Sequence, residues 1–118
     1  MVKNLSTQEF KDLVHDFDKE EEWKFKGKKP AIIKFGAEWC PPCRTVAPVL
    51  EELSEEYKDK IDIYDVDVDE APEISVSLNV RNIPAIFFIP LNEKPKMTVG
   101  SEPKHVFKKT ISEVLKIK

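Results

Sequence analysis

The 118-residue chain has only two cysteines, three glycines and two histidines, and each shortage removes a class of protein. Two cysteines three positions apart cannot staple a fold, because closing so short a loop removes little chain entropy; a disulfide framework is excluded. Three glycines among 35% charged and 41% apolar residues exclude a flexible linker or tail. One domain with its own core, spanning residues 1–118, is what this length holds. No apolar run approaches the ~20 residues of a membrane-spanning helix, and Met1 to Phe10 lacks the apolar stretch of a signal peptide. With Met1 native, a cytoplasmic location is expected; if Met1 caps a processed domain, an extracytoplasmic one is. Excess positive charge is also missing. A net charge of −3 and a pI near 5.5 argue against nucleic acid and anionic membranes as partners. The basic run Lys24 to Lys29 follows Glu20, Glu21 and Glu22, so it reads as a solvated mixed-charge surface. A monomer is expected.

What is present alternates between helix and strand signals. Ser6-x-x-Glu9 is a capping-box pattern, and Phe10, Leu13, Val14 and Phe17 follow at helical spacing, predicting a helix from about Thr7 to Phe17. Asp18 to Lys29 reads as a connection that lays Trp23 and Phe25 on the core. Ala31 to Phe35, ended by Gly36, is short, apolar and β-branched, and reads as a buried strand. Val46, Val49, Leu50, Leu53 and Tyr57 form one stripe of a second helix, kinked by Pro48 inside it. Ile61 to Val68 is a second strand, parallel to the first through a right-handed crossover. Ala71 to Leu78 is a short helix with Pro72 in its first turn, and Ala85 to Ile89 a third strand. Pro90 to Pro95 turns the chain so that Lys96 to Val99 pairs antiparallel. Ser101 is expected to cap a last helix with Pro103 in its first turn and Phe107, Ile111, Val114 and Leu115 inward. The order α–β–α–β–α–β–β–α implies an α/β fold, a small mixed sheet with helices on both faces.

The two cysteines fall in Trp39-Cys40-Pro41-Pro42-Cys43, between the first strand and the second helix. A sulfur at a helix N-terminus meets unpaired N–H groups and the positive end of the dipole, which favour the nucleophilic thiolate. One turn brings Cys43 beneath Cys40, so Cys40 can attack a substrate disulfide and Cys43 can resolve the mixed disulfide. Cys40 is expected exposed and Cys43 buried. Pro41 and Pro42 cost little in a first turn, whose amides lack partners anyway, and they stiffen the loop. Half of a zinc site is the bland alternative. It would need two more ligands, and His15 and His105 stand apart in the terminal helices, where both are expected on the surface. Asp65, Asp67, Asp69 and Glu70 lack the spacing and turn glycine of a calcium loop; apart from Asp65, they read as solvation at a strand end.

On these residues the sequence resembles the thioredoxin family. The resemblance rests on Ala37-Glu38-Trp39-Cys40-Pro41-Pro42-Cys43, on Ala47-Pro48, on Val66-Asp67-Val68-Asp69, on Ile83-Pro84 and on Val99-Gly100. The lead-in Glu22-Trp23-Lys24-Phe25 is similar to that of Bacteroidetes members. The family implies the thioredoxin fold and reduction of protein disulfides. It implies no cofactor beyond the redox-active Cys40–Cys43 disulfide, and a thioredoxin-reductase-type electron donor. It also implies a cis bond at Pro84 beside the reactive sulfur, and a docking surface of Trp39, Pro41, Pro42, Ile83, Pro84 and Gly100. There an extended substrate segment would pair with exposed backbone.

Three departures accompany the match. The spacer is Pro-Pro where Gly-Pro is common; Lys34 stands where the family has Asp; Asp65 stands where it usually has Lys. The two charges look exchanged. The family's Asp lies behind the second cysteine and helps it lose its proton, which makes Lys34 and Asp65 candidate catalytic residues. A purely structural pair is the alternative. For the whole chain the rivals are a disulfide oxidase or isomerase, and a non-catalytic redox sensor or binding module.

Overall fold

Every residue of Ala31–Gly36 and of Ala85–Ile89 is buried, so both runs must be interior strands covered on two faces. In the computed structural model, which describes residues 1–117, they are β2 and β4 of a five-stranded sheet. The other strands are β1 (Lys3–Asn4), β3 (Asp62–Asp67) and β5 (Lys96–Val99), in the order β1-β3-β2-β4-β5. β1 and β2 run parallel to β3, whereas β4 is antiparallel to both β2 and β5.

The period of two along these strands divides the core. Ala31, Ile33, Phe35, Phe87 and Ile89 pack with Phe10 of α1 (Thr7–Leu13) and Ile74 of α3 (Pro72–Ser77). Ile32, Ile63, Ile86 and Phe88 pack on the other face, against Val46, Leu50 and Leu53 of α2 (Pro41–Glu56). Phe107 of α4 (Lys104–Thr110) and Ile111 and Leu115 of the π-helical turn that continues it complete that layer. Pro48 lies inside α2, as its sequence position requires. The mixed sheet with two-sided helical cover is the expected α/β architecture.

Several expectations need correction. β1 is an added strand: its two residues are polar and exposed, so no hydrophobic pattern announces it. α1 stops at Leu13 rather than Phe17. Val14 gives its carbonyl to Lys26 N–H, and Asp16 turns its side chain onto the Asp18 amide, so the helix ladder ends. His15 is therefore not on a helix surface but buried, its Nδ1 accepting from Lys24 N–H at 3.1 Å and its ring 4.7 Å from that of Trp23. Ser101 does not cap α4. The ladder starts from the Pro103 carbonyl, which accepts from Val106 and Phe107, and Pro103 itself is the N-cap in extended conformation.

The capping box is complete: Ser6 Oγ accepts from Glu9 N–H at 3.1 Å, and Glu9 Oε1 accepts from Ser6 N–H at 3.0 Å. That second bond, with Lys3 beside it, holds the Glu9 carboxyl below its ordinary value. Ser6→Ala should therefore lower unfolding free energy by about 1 kcal/mol in urea titrations. The Glu9 contribution is complete above the ordinary carboxylate range and is lost as pH falls through its lowered value. The gap in urea midpoint between wild type and Glu9→Ala should accordingly narrow on acidification.

Candidate active site

Gly36 ends β2, and Ala37, Glu38 and Trp39 carry the chain to Cys40, the N-cap of α2. Cys40 is held extended (φ −99°, ψ 106°), its N–H bonded to the Ala37 carbonyl and its own carbonyl accepting from Arg44 N–H. Pro41 and Pro42 fill the first two helical positions and bring no N–H. The Cys43 amide is left, and it donates to Cys40 Sγ at 3.3 Å. The cysteines, Cα atoms 5.3 Å apart, form a disulfide. The expected contrast in exposure is absent: Cys40 is 4% exposed and Cys43 2%. Val68 and Ile83 pack over Ala37 and both cysteines, so in the oxidised state each sulfur is covered.

The neighbouring loops complete a surface around the pair. The Ile83–Pro84 bond is cis. The Pro84 carbonyl accepts from Gly100 N–H at 2.8 Å, and Gly100 holds φ +102°, a left-handed conformation that explains a glycine there although space around its Cα is open. Trp39 is 64% exposed, yet its Nε1–H donates to Asp69 Oδ2 at 2.8 Å. Asp69 is set in turn by its own N–H to Asp67 Oδ1, at 2.8 Å. Asp67 and Asp69 thus position the exposed indole, a task that solvation of a strand end does not describe. Arg44 Nε–H binds the Glu38 carbonyl at 3.0 Å and braces the same loop.

Behind the pair, Lys34 and Asp65 are register partners in the parallel β2–β3 ladder. Both belong to the face that α2 covers, two residues beyond Ile32 and Ile63. Lys34 is buried, and its Nζ lies 3.2 Å from Asp65 Oδ1. The two are an ion pair by distance, but not an aligned hydrogen bond, and Oδ1 has no other donor among the described residues. A cavity of about 210 Å³ opens here, lined by Lys34, Asp65, Cys43, Gly36, Asn4 and Arg44 among others. The lysine stem and Cys43 both close on Gly36: a Cβ there would lie 3.1 Å from Cys43 Sγ and 3.2 Å from Lys34 Cε.

A disulfide that closes the first turn of a helix, beside a cis proline loop and an exposed tryptophan, defines a thiol–disulfide oxidoreductase. The family model named Thioredoxin matches residues 1–113, and the chain belongs to the thioredoxin family. It is 40% identical over 113 residues to a thioredoxin of Borreliella burgdorferi, covering 96% of this chain and 97% of that one. A thioredoxin of Alicyclobacillus acidocaldarius is 36% identical over 90 residues, 76% of this chain and 86% of its own. Thioredoxin C-2 of Corynebacterium nephridii is 44% identical over 75 residues, 64% and 69% of the two chains. Thioredoxins are protein disulfide reductases that need no cofactor beyond the redox-active disulfide, and this chain is such an enzyme.

Gly36 makes the first test of this packing. Gly36→Ala makes Cys43 and the Lys34 stem give way by a few tenths of an ångström, and overpacking of this kind costs about 1 kcal/mol, the low end of its range. Urea unfolding should register that loss, and the rate at which dithiothreitol reduces the disulfide should change with it.

Proposed function

We propose that the chain reduces disulfides in other proteins, as one domain acting as a monomer in the cytoplasm, with Cys40 as the attacking sulfur and Cys43 as the resolving one. The observation that carries this division is the Cys43 N–H directed at Cys40 Sγ, which gives the Cys40 thiolate a hydrogen bond at the positive end of α2. The Cys40 thiolate attacks one sulfur of the substrate disulfide; the other sulfur leaves as a thiolate and takes up a proton. Cys43 then loses its proton, attacks Cys40 Sγ and expels the second substrate thiol, and the Cys40–Cys43 disulfide remains. Two electrons have passed to the substrate, and a thioredoxin-reductase-type donor returns two to the pair. Trp39, Pro41, Pro42, Ile83, Pro84 and Gly100 receive the substrate, their exposed ring and backbone flanking the sulfurs.

Lys34 and Asp65 belong to the second step. Lys34 shares a cavity with Cys43, and its ammonium stabilises the thiolate that forms there, while Asp65 pairs with the ammonium at 3.2 Å. The family's carboxylate is replaced by a cation, so help comes as electrostatic stabilisation rather than as a base.

Two sets of variants test these roles. Cys40→Ser should abolish insulin reduction, whereas Cys43→Ser should accumulate a mixed disulfide that peptide mapping locates on Cys40; adducts on residue 43 in wild type would reverse the assignment. Lys34→Met should slow mixed-disulfide resolution about tenfold, the effect of ~1.4 kcal/mol, and move the Cys43 titration to higher pH. The exchange Lys34→Asp with Asp65→Lys should restore part of the stability that each single change loses, because contacting residues couple. Coupling in stability with an unchanged resolution rate would leave the pair structural only.

A further inference from the structure

The sheet ends on β5, whose outer edge no strand covers among the described residues. Its register fixes which backbone groups that edge presents. Gly100 donates to the Pro84 carbonyl, and Ala85, Ile86 and Phe87 face Val99, Thr98 and Met97. Bonded and non-bonded pairs alternate in an antiparallel ladder, so Thr98 bonds inward to Ile86 while Met97 and Val99 turn their N–H and C=O groups outward. The same two residues are the apolar ones left uncovered on this strand, Met97 44% and Val99 50% exposed. With Asn79, Arg81 and Asn82 they line a cleft of about 310 Å³. Arg81 is held there by Nε–H donation to Asn79 Oδ1 at 3.2 Å. The edge is also basic. Among the described residues Arg81, Lys94 and Lys96 have no carboxylate partner, and nearby Glu93 is engaged by Lys116.

From this we infer that the β5 edge and the Arg81 cleft bind an acidic extended segment of the substrate, adjoining the cysteine that is attacked. This rests on the reductase reading and names its preferred substrate class. Three observations carry it. The edge continues the docking surface directly, since Gly100 follows β5 and donates to the Pro84 carbonyl. Outward backbone at Met97 and Val99 suits an added strand, which binds any extended sequence, and specificity then comes from side-chain sites beside it. The cleft supplies an apolar floor with one fixed, unpaired guanidinium, suited to a carboxylate. A second copy is a poorer occupant, because pairing two β5 edges would set Arg81, Lys94 and Lys96 against the same cations. The carboxylates for Arg81 lie on the substrate residues that face Val99, Thr98 and Met97, beyond the one that faces Gly100.

Two cysteine peptides, each joined by a disulfide to 2-nitro-5-thiobenzoate and differing only in Glu or Lys at those positions, test it. Wild type should prefer the Glu peptide by roughly fivefold in kcat/KM, about what one exposed ion pair supplies. Arg81→Glu should reverse the order, and Arg81→Lys should retain it. In the mixed disulfide of Cys43→Ser with the cysteine-containing Glu peptide, the amide protons of Met97 and Val99 should exchange at least tenfold more slowly than in free protein. An identical peptide ratio in wild type and Arg81→Glu, or unchanged exchange at both amides, overturns the proposal. Protection that grows with protein concentration and no peptide gives the edge to a second copy and also overturns it. A wild type that reduces neither peptide nor insulin would instead overturn the reductase reading beneath it.

Discussion

The site depends on one hydrogen-bond donor. A helix begins with several backbone amides that have no partner inside it, and these give its N-terminus affinity for negative charge. In α2 the first two helical positions are Pro41 and Pro42, which have no amide proton to give. The third is Cys43, whose N–H points at Cys40 Sγ. The next, that of Arg44, is bonded to the Cys40 carbonyl. The double proline therefore narrows the helix terminus to one directed bond, made to the sulfur that must become a thiolate. The same residues fix φ at two positions and so hold the turn that keeps the cysteines together.

That donor is useful only because the rest of the fold holds the turn still. β2 is interior and delivers Gly36 to the point where Cys43 and the Lys34 stem crowd the place of a side chain. Val68 and Ile83 cover the sulfurs from β3's end and from the loop before β4. The charge beneath is a consequence of register: Lys34 and Asp65 are cross-strand neighbours on the α2 face. A buried ammonium without a carboxylate nearby would be strongly unfavourable, and pairing makes its position tolerable. Within the pair the two charges balance, and both members line the cavity that Cys43 shares.

Much of this was legible because period and spacing encode it. Continuous apolar runs at Ala31 to Phe35 and Ala85 to Ile89 identify interior strands, and the stripe from Val46 to Tyr57 identifies the helix that carries the cysteines. The pairing of Lys34 with Asp65 follows from two charges placed in strands expected to be parallel neighbours. What escaped depends on partners distant in sequence. β1 is two polar residues whose strand character comes only from β3. His15 is buried by a bond to the Lys24 amide and by the Trp23 ring, neither of which helical spacing reveals. Cys40 is covered by Ile83, forty-odd positions onward. Asp69 holds Trp39 from thirty residues away, and only the motif Val66-Asp67-Val68-Asp69 marked its place.

Stabilising its thiolates raises the reduction potential of a dithiol pair, so this protein acts as a reductant only while the single amide donor to Cys40 Sγ keeps that stabilisation modest. Its reduction potential tests that most directly, measured by equilibrating the Cys40–Cys43 pair in dithiothreitol redox buffers. A value of about −270 mV is expected, where thioredoxins lie, and in any case one below about −230 mV. A value of about −120 mV, that of a dedicated disulfide oxidase, would contradict it.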